Sequence, residues 1–527
     1  MKDSIVNSED SRILNPCYKA KGTTITEYHD SYKLKLYLVF IFFISCLVNT
    51  LLEIFREVLI IKKQTPSSIY FIKLFLTFPL TFFVMICIQK ALNNYDISKI
   101  YKFVTVLYII YFFILGILML PYENRIQKGN VWVLDHICDN KLEARGMKFV
   151  VSILYIFSEW IYTLLYVLSE LYGSFMVSYL FFTFANSVCT KSEMEDVLPY
   201  LSTTTAMSMI LSAGIYVFFD FVKRRISYKA SMEITIISFI CISFLTMVLY
   251  FLILSLNKKV AKGTFETFDN HNIDKPNTDS LWDILESRLL RNLAWISIMY
   301  SFNSGILEAS FKNSLSDGSK QLERPIDQYS SVFINTGLVI ISLAILFINF
   351  GFYRKLKGVG FLFSSLTSPI VSFVSISIIS LLSFYNFPTK TRRGMFFNNL
   401  LVDKPKYINC ENWIVTISGC FIKVTKFINF DMAKECISMR ISKRYRGKYK
   451  SVYDGVCIKL GKSISSLYGA FFTMFGIADI RQISPITFVV CTLTNYIWIR
   501  SVLYLNKKYK ESLAYNREID VDIDKRE

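Results

Sequence analysis

Twelve stretches built mostly of Leu, Ile, Phe, Val and Tyr, each long enough to cross about 30 Å of hydrocarbon, follow one another along this chain. Runs of that length have to close their backbone hydrogen bonds within themselves once they leave water, so the chain reads as an all-α membrane protein. The first six spans fall near residues 34–61, 67–91, 99–120, 160–189, 198–222 and 232–256. The second six fall near 289–312, 328–350, 358–384, 407–430, 454–476 and 484–506. Between the two sets lies the one long polar stretch, 257–285, and the apolar but short 147–159 reads as an interfacial or packing helix leading into the fourth span.

This division predicts an N-terminal tail over 1–33, a six-helix bundle over 34–256, a linker over 257–285, a second bundle over 286–507 and a tail over 508–527. A bias of Lys and Arg, helped by SKRYRGKYK between the tenth and eleventh spans, places both termini and the linker on the cytoplasmic side. Six plus six helices with cytoplasmic termini is the layout of major-facilitator-like carriers, in which two halves rock about a site at mid-membrane.

Composition removes several other classes. A chain that is 53% hydrophobic and 19% charged, with mean hydropathy +0.39, does not fold as a water-soluble globule. The formal charge of +18 would suggest nucleic acid in a soluble protein, but short basic loops explain it by orientation in the bilayer, and no nucleic-acid partner is expected. The Cys residues stand singly, without zinc spacing, and His29, His136 and His271 lie in polar segments, so neither a metal, a cofactor nor enzymatic chemistry inside the membrane is expected. The acids Asp3, Glu9 and Asp10 at the start fit neither a secretory signal nor a transit peptide.

Charge inside the apolar runs carries the functional signal. A formal charge at the centre of a spanning helix costs ~2.5–3.5 kcal/mol on insertion, so several in one chain imply a polar site between helices. In the expected layout the first, fourth, seventh and tenth helices line the cavity, and the charges lie on those four and on the eleventh. Glu53, Arg56 and Glu57 of the first are spaced i, i+3, i+4. On the fourth, Thr163, Tyr166, Glu170 and Gly173 form one stripe; on the seventh, Tyr300, Ser304 and Glu308 do, with Asn303 and Lys312 beside them. Lys423 and Lys426 share a face of the tenth helix, and Lys459 and Lys462 share one of the eleventh. Clustered cations suit a polyanion and the Tyr rings suit a base, so a nucleotide di- or triphosphate fits both. Arg56 can fork onto two phosphate oxygens, while Lys426 and Lys462 act as point charges on a substrate that also has to leave. The Walker-like GVCIKLGKS over 455–463 is set aside: five residues rather than four separate its glycines, and it lies in an apolar helix with no preceding strand.

At these residues the chain resembles the nucleotide transporters (ATP/ADP translocases) of plastids, obligate intracellular bacteria and microsporidia. ELYGSFMVSYLFFTFANSVCT is similar to the family's E-L-W-G-S followed by an aromatic run ending in F-A-N, FDMAKE to F-D-P-x-K-E, and DGVCIKLGKS to I-D-V then G-K-S. IYFIKLFLTFP resembles I-P-F-L-K followed by L-P, and ILEASFK resembles L-x-E-x-x-W-K. By position the family's essential charges fall on Arg56 (Lys in the family), Glu170, Glu308 and Lys462. Phe311 stands in place of the family's Trp, and Ile464 and Ser465 in place of Gly-Gly.

The resemblance implies exchange of ATP for ADP, and of GTP or GDP in a broader range, by a monomer in a lipid bilayer. Glu57, Tyr166, Tyr300, Asn303, Lys423 and Lys459 join the four charges and Lys426 as expected substrate contacts. Asp431, Lys434, Glu435 and Lys312 are expected at a gate or interface. Together with the Ile, Lys, Phe, Tyr and Asn richness, the resemblance implies a microsporidian parasite's plasma membrane facing host cytoplasm, or a mitosome. A proton-coupled net importer and a non-transporting receptor of the same fold are the alternatives.

Overall fold

A computed structural model describes residues 25–92, 94–127, 148–189, 191–225, 228–261, 287–352, 361–386, 407–441, 453, 456–477, 479–515 and 519. Most of the expected linker (262–285), most of the N-terminal tail and the basic loop after the tenth span lie outside these residues, while 257–261, expected in the linker, continue the sixth helix. Among them, twelve long helices account for nearly everything: α1 (Ile25–Lys63), α2 (68–92), α3 (Ile97–Met119), α4 (148–188), α5 (Lys191–Arg225), α6 (Tyr228–Ala261), α7 (Arg288–Gln321), α8 (326–352), α9 (Phe361–Asn386), α10 (408–440), α11 (Cys457–Met474) and α12 (Ser484–Ala514). The single bridge outside them pairs Ile441 with Ile519.

Several helices outrun their apolar cores. α7 continues through the polar SLSDGSKQ to Gln321, and α12 continues through KKYKES to Ala514. A helix satisfies its own backbone, so it continues past the hydrocarbon edge where periodicity in hydropathy stops. The short apolar segment before the fourth span is a helix, Lys148–Ser158, joined to the rest of α4 through a break at Glu159.

Among the described residues nine helices are long and apolar enough to cross a membrane by length and composition. The three that fall short of the twelve expected are α7, α10 and α11. Each spends a helical face on Ser, Asn, Lys or Glu, which lowers its hydropathy because that face turns to other helices rather than to lipid.

Packing places α1 at the centre. It contacts α4, α5 and α6 within the first half, and α8 across to the second. In the second half α7 contacts α10, α11 and α12, while α9 lies on α10 and α12. The halves also meet through α5 on α8 and α2 on α11. In the most apolar window of α1, 67% of residues are buried, against 22% in α2 and in α3, whose outer faces present Phe75, Phe82, Phe83, Phe103 and Phe113 to lipid.

Two glycines permit close approach where the site is built. A Cβ on Gly173 would lie 2.5 Å from Asn49 Oδ1 of α1, and one on Gly461 would lie 2.5 Å from the Ile298 carbonyl oxygen of α7. At Gly461 the obstacle is backbone, so α11 approaches α7 this closely only as glycine, whereas at Gly173 the Asn49 side chain would have to shift to admit a methyl group. Wide π turns interrupt α2 at 72–77, α4 at 173–180 and α10 at 426–430. In α2 the cause is Pro79, which has no N–H to bond the carbonyl four residues back and whose ring would clash with it.

Candidate functional site

One turn of α1 addresses three helices. Arg56 Nη1 lies 2.5 Å from Glu170 Oε2 of α4, Glu57 Oε2 lies 2.5 Å from Lys312 Nζ of α7, and Glu53 Oε1 lies 3.7 Å from Lys423 Nζ of α10. Spacing i, i+3, i+4 spreads three side chains over one broad helical face, and a central helix has a neighbour for each.

Around Glu170 the cations concentrate. Lys459 Nζ and Lys462 Nζ of α11 each stand 3.3 Å from Glu170 Oε1, while Arg56 takes the other oxygen. Three formal positive charges meet at Glu170, an excess of two over that carboxylate that is partly offset by Glu57, whose Oε1 lies 3.5 Å from Arg56 Nε and whose other oxygen is taken by Lys312. The Lys462 side chain is 40% exposed although it lies mid-helix, and Lys423 is 48% exposed opposite a Glu53 that is 37% exposed. Facing side chains on packed helices are exposed together only if the gap between them admits solvent, so the cluster is reached from the end of the bundle where α1 begins.

The opposite end is closed. Lys62 of α1 pairs with Asp327 of α8 at 2.6 Å, Tyr70 of α2 accepts a hydrogen bond from Asn313 of α7 at 3.5 Å, and the Tyr70 ring lies where a Cβ on Gly469 of α11 would stand. Within the first half, Lys63 pairs with Glu123 at 2.6 Å and Gln64 donates to Thr163 at 2.8 Å.

Between the cation cluster and that seal lies a second set of charges. Glu308 Oε1 of α7 accepts from Lys312 at 2.7 Å, one turn on, and from Lys73 of α2 at 2.9 Å. Tyr166 of α4 joins the two sets: its ring has Arg56 at 5.2 Å and Lys312 at 5.9 Å, and its buried hydroxyl has no hydrogen-bond partner among the described residues.

Of the residues expected from sequence, Arg56, Glu170, Lys459 and Lys462 meet in the first cluster, and Glu57, Glu308 and Lys312 in the second. Both oxygens of Glu170 and Oε1 of Glu308 are engaged by the protein's own cations here. Lys426 lies over the Tyr300 ring at 5.7 Å and the Phe427 ring at 5.2 Å. Tyr300 stacks on Phe430 at 5.1 Å and meets Trp498 edge-on at 5.9 Å, inside the second half. Asn303 is turned away from the cluster: its Oδ1 accepts from Thr494 of α12 at 2.8 Å. Its position one residue before Ser304 rotates it by about 100° from the Ser304–Glu308 face, and a buried amide takes the partner available there. Asp431 and Lys434 pair with each other at 3.4 Å within α10, and Lys434 lies 5.0 Å from the Phe430 ring. The Glu435 side chain lies outside the described residues. Ser465 packs on Gly305 of α7, so the hydroxymethyl group fills part of the α7–α11 contact.

Two groups escaped the sequence reading. Lys73 stands alone in an apolar run, in a helix not expected to line the cavity, and its only signal was its presence in the IYFIK motif. Arg481, before α12, is 4% exposed and draws together Asp479 at 2.7 Å, Glu411 at 3.4 Å, Asp317 and the Asn313 carbonyl. Three of these four partners are at least 70 residues away, beyond any local pattern.

A helical bundle with a charged, half-accessible site at the meeting of its two halves defines a membrane transporter of major-facilitator-like build. A crystal structure of a bacterial homologue of the iron transporter ferroportin, in an inward-facing state, shares that fold with TM-score 0.52 at 12% identity, covering 89% of this chain and 99% of that one. The chain belongs to the TLC ATP/ADP transporter family, whose profile matches residues 25–509. ADP,ATP carrier protein 4 of Encephalitozoon cuniculi (strain GB-M1) is 28% identical over 484 residues, covering 90% of this chain and 89% of that protein. ADP,ATP carrier protein 1 of Paranosema grylli is 24% identical over 501 residues, covering 92% and 90%. At greater distance, ADP,ATP carrier protein 4 of Rickettsia typhi (strain ATCC VR-144 / Wilmington) is 22% identical over 525 residues, covering 98% of each. The chain is thus a carrier and not an enzyme, as expected from its lack of intramembrane His or metal spacing.

Proposed function

We propose that this carrier exchanges ATP for ADP by alternating access, with Arg56, Lys459 and Lys462 as the phosphate site and Lys423 and Lys426 at its entrance. The observation that carries the reading is the excess of positive charge around Glu170, at the junction of α1, α4 and α11 and within reach of solvent. A lone carboxylate neutralises one cation and leaves the others under-compensated in a partly buried site, so an incoming polyphosphate gains more than water can offer. Glu170 then stands in for the substrate while the site is empty. The positive charge that Glu170 does not cancel opposes closing the halves over an empty site and a bound polyphosphate relieves it, so the carrier returns more readily with a nucleotide than without one, which favours exchange over net import.

The termini lie on the cytoplasmic side in this reading, and the membrane is the parasite's surface, with a mitosome as the other setting. The named microsporidian carriers support the parasite setting. Uptake of labelled ATP into proteoliposomes, loaded with ADP or left empty, tests the function. Accumulation confined to loaded vesicles is expected. Equal accumulation in empty vesicles refutes exchange, and its dependence on an imposed pH gradient would then identify a proton-coupled importer.

A further inference from the structure

The second set of charges has a different balance from the first. Lys73, Glu308, Lys312 and Glu57 form a chain of alternating sign, linked at 2.9, 2.7 and 2.5 Å, with a formal sum of zero. Its middle pair belongs to one helix, α7, at i and i+4, and stays together however the halves move. Its outer links, Lys73–Glu308 and Lys312–Glu57, each join the first half to the second. It lies on the closed side of the cation cluster, beside a cavity of about 10 Å³ among Pro66, Tyr70, Lys73, Glu308 and Ser466, room for about one water.

We infer that Lys73 is a gate residue: its bond to Glu308 latches α2 to α7 and has to break for the site to open at the end where α1 finishes. The inference rests on the carrier reading above for the motion, and on geometry for the residue. A neutral chain offers a polyphosphate no net attraction, so it serves the gate and leaves binding to the cluster around Glu170. Lys73 sits in the π turn at 72–77, and π turns of this kind are frequent at functional sites. Glu308 accepts two cations on one oxygen, so losing Lys73 leaves it satisfied by Lys312, and the latch can open without stranding a carboxylate. Glu170 and Lys462 also lie within electrostatic range of this end, so the test has to separate gating from binding.

The experiment places a reporter thiol at the closed end, Ser466→Cys, which is 2% exposed. Its labelling by a membrane-impermeant maleimide is followed in proteoliposomes against the same protein without the reporter. Lys73→Gln is expected to speed labelling by about tenfold, the scale of one charge-assisted hydrogen bond, and Lys73→Arg to keep it slow. In a Glu308→Gln background Lys73→Gln is expected to add nothing, since the residue acts through that carboxylate. Thermal stabilisation by ATP is expected to persist in Lys73→Gln; its loss would put Lys73 in the substrate site and overturn the inference, as would unchanged labelling. If ATP stabilises not even the unmodified carrier while labelling shifts as stated, the latch stands and the nucleotide reading falls.

Discussion

Replacing Lys462 with Gln and, separately, Lys312 with Gln removes the same charge from two places with opposite consequences. Among the described residues Lys462 reaches one carboxylate, Glu170 at 3.3 Å, with its own side chain 40% exposed; Glu170 keeps Arg56 and Lys459 when Lys462 is gone. An ion pair that open is worth ~0.2–1 kcal/mol, so folded stability is expected to move little. Against a phosphate oxygen the same ammonium contributes ~1.5–3 kcal/mol as a charged hydrogen bond, below a ceiling of ~4 kcal/mol for unit charges at 4 Å and an effective dielectric near 20. Converted at about 1.4 kcal/mol per decade, Lys462→Gln weakens ATP binding by about 10- to 150-fold. Lys312 is 5% exposed and bridges Glu57 and Glu308 at 2.5 and 2.7 Å. Its loss leaves Glu308 with Lys73 at 2.9 Å but leaves the buried Glu57 with only the longer contact to Arg56 at 3.5 Å, a defect of ~1–3 kcal/mol. Measuring thermal unfolding in detergent, protein amount in the membrane and ATP uptake into ADP-loaded vesicles separates the two. Lys462→Gln is expected to melt with the parent protein but with a raised KM, and Lys312→Gln to melt earlier and accumulate less. A Lys462→Gln carrier with the parent KM, or a Lys312→Gln carrier with the parent melting temperature, refutes the reasoning.

Two further outcomes follow from the same geometry. Glu170→Gln keeps the side chain's shape but removes the surrogate anion from three cations, so ATP is expected to raise the melting temperature by more than in the parent while turnover slows; failure of ATP to stabilise this variant would show Glu170 to be a direct substrate contact instead. Gly461→Ala forces a methyl group against the Ile298 carbonyl and Ser301, and overpacking of ~1–3 kcal/mol at the α7–α11 contact is expected to lower both melting temperature and uptake, so parent-like values for both would exclude that contact as tight.

Much of the site was legible because it obeys local spacing. Glu53, Arg56 and Glu57 announced a shared helical face, Glu170 was an acid with no nearby cation in sequence, and Lys459 and Lys462 repeated one face of α11. Which partner each would choose was not legible, since Glu170 meets cations 114 residues before it and up to 292 after it. Asn303 counted as a site residue until Thr494 of a distant helix claimed its amide. Lys73 and Arg481 share another difficulty: a lone cation at or within an apolar stretch reads equally well as one that snorkels to the interface, and only tertiary structure tells the two apart. The polarity of α7, α10 and α11, which signalled their importance, is also what removes them from a count of spans made by hydropathy alone.

The three-way reach of α1 limits how this protein can vary. Because Glu53, Arg56 and Glu57 are committed to α10, α4 and α7 within little more than one turn, a single inserted or deleted residue just upstream, between Cys46 and Glu53, would rotate all three by about 100° relative to the preceding turns and misdirect them together. The outward faces of α2 and α3 meet only lipid and can absorb shifts of register and length. Divergence among carriers built this way is therefore channelled to the periphery of the bundle, while the inner helix behaves as a keyed shaft whose angular setting is inherited whole.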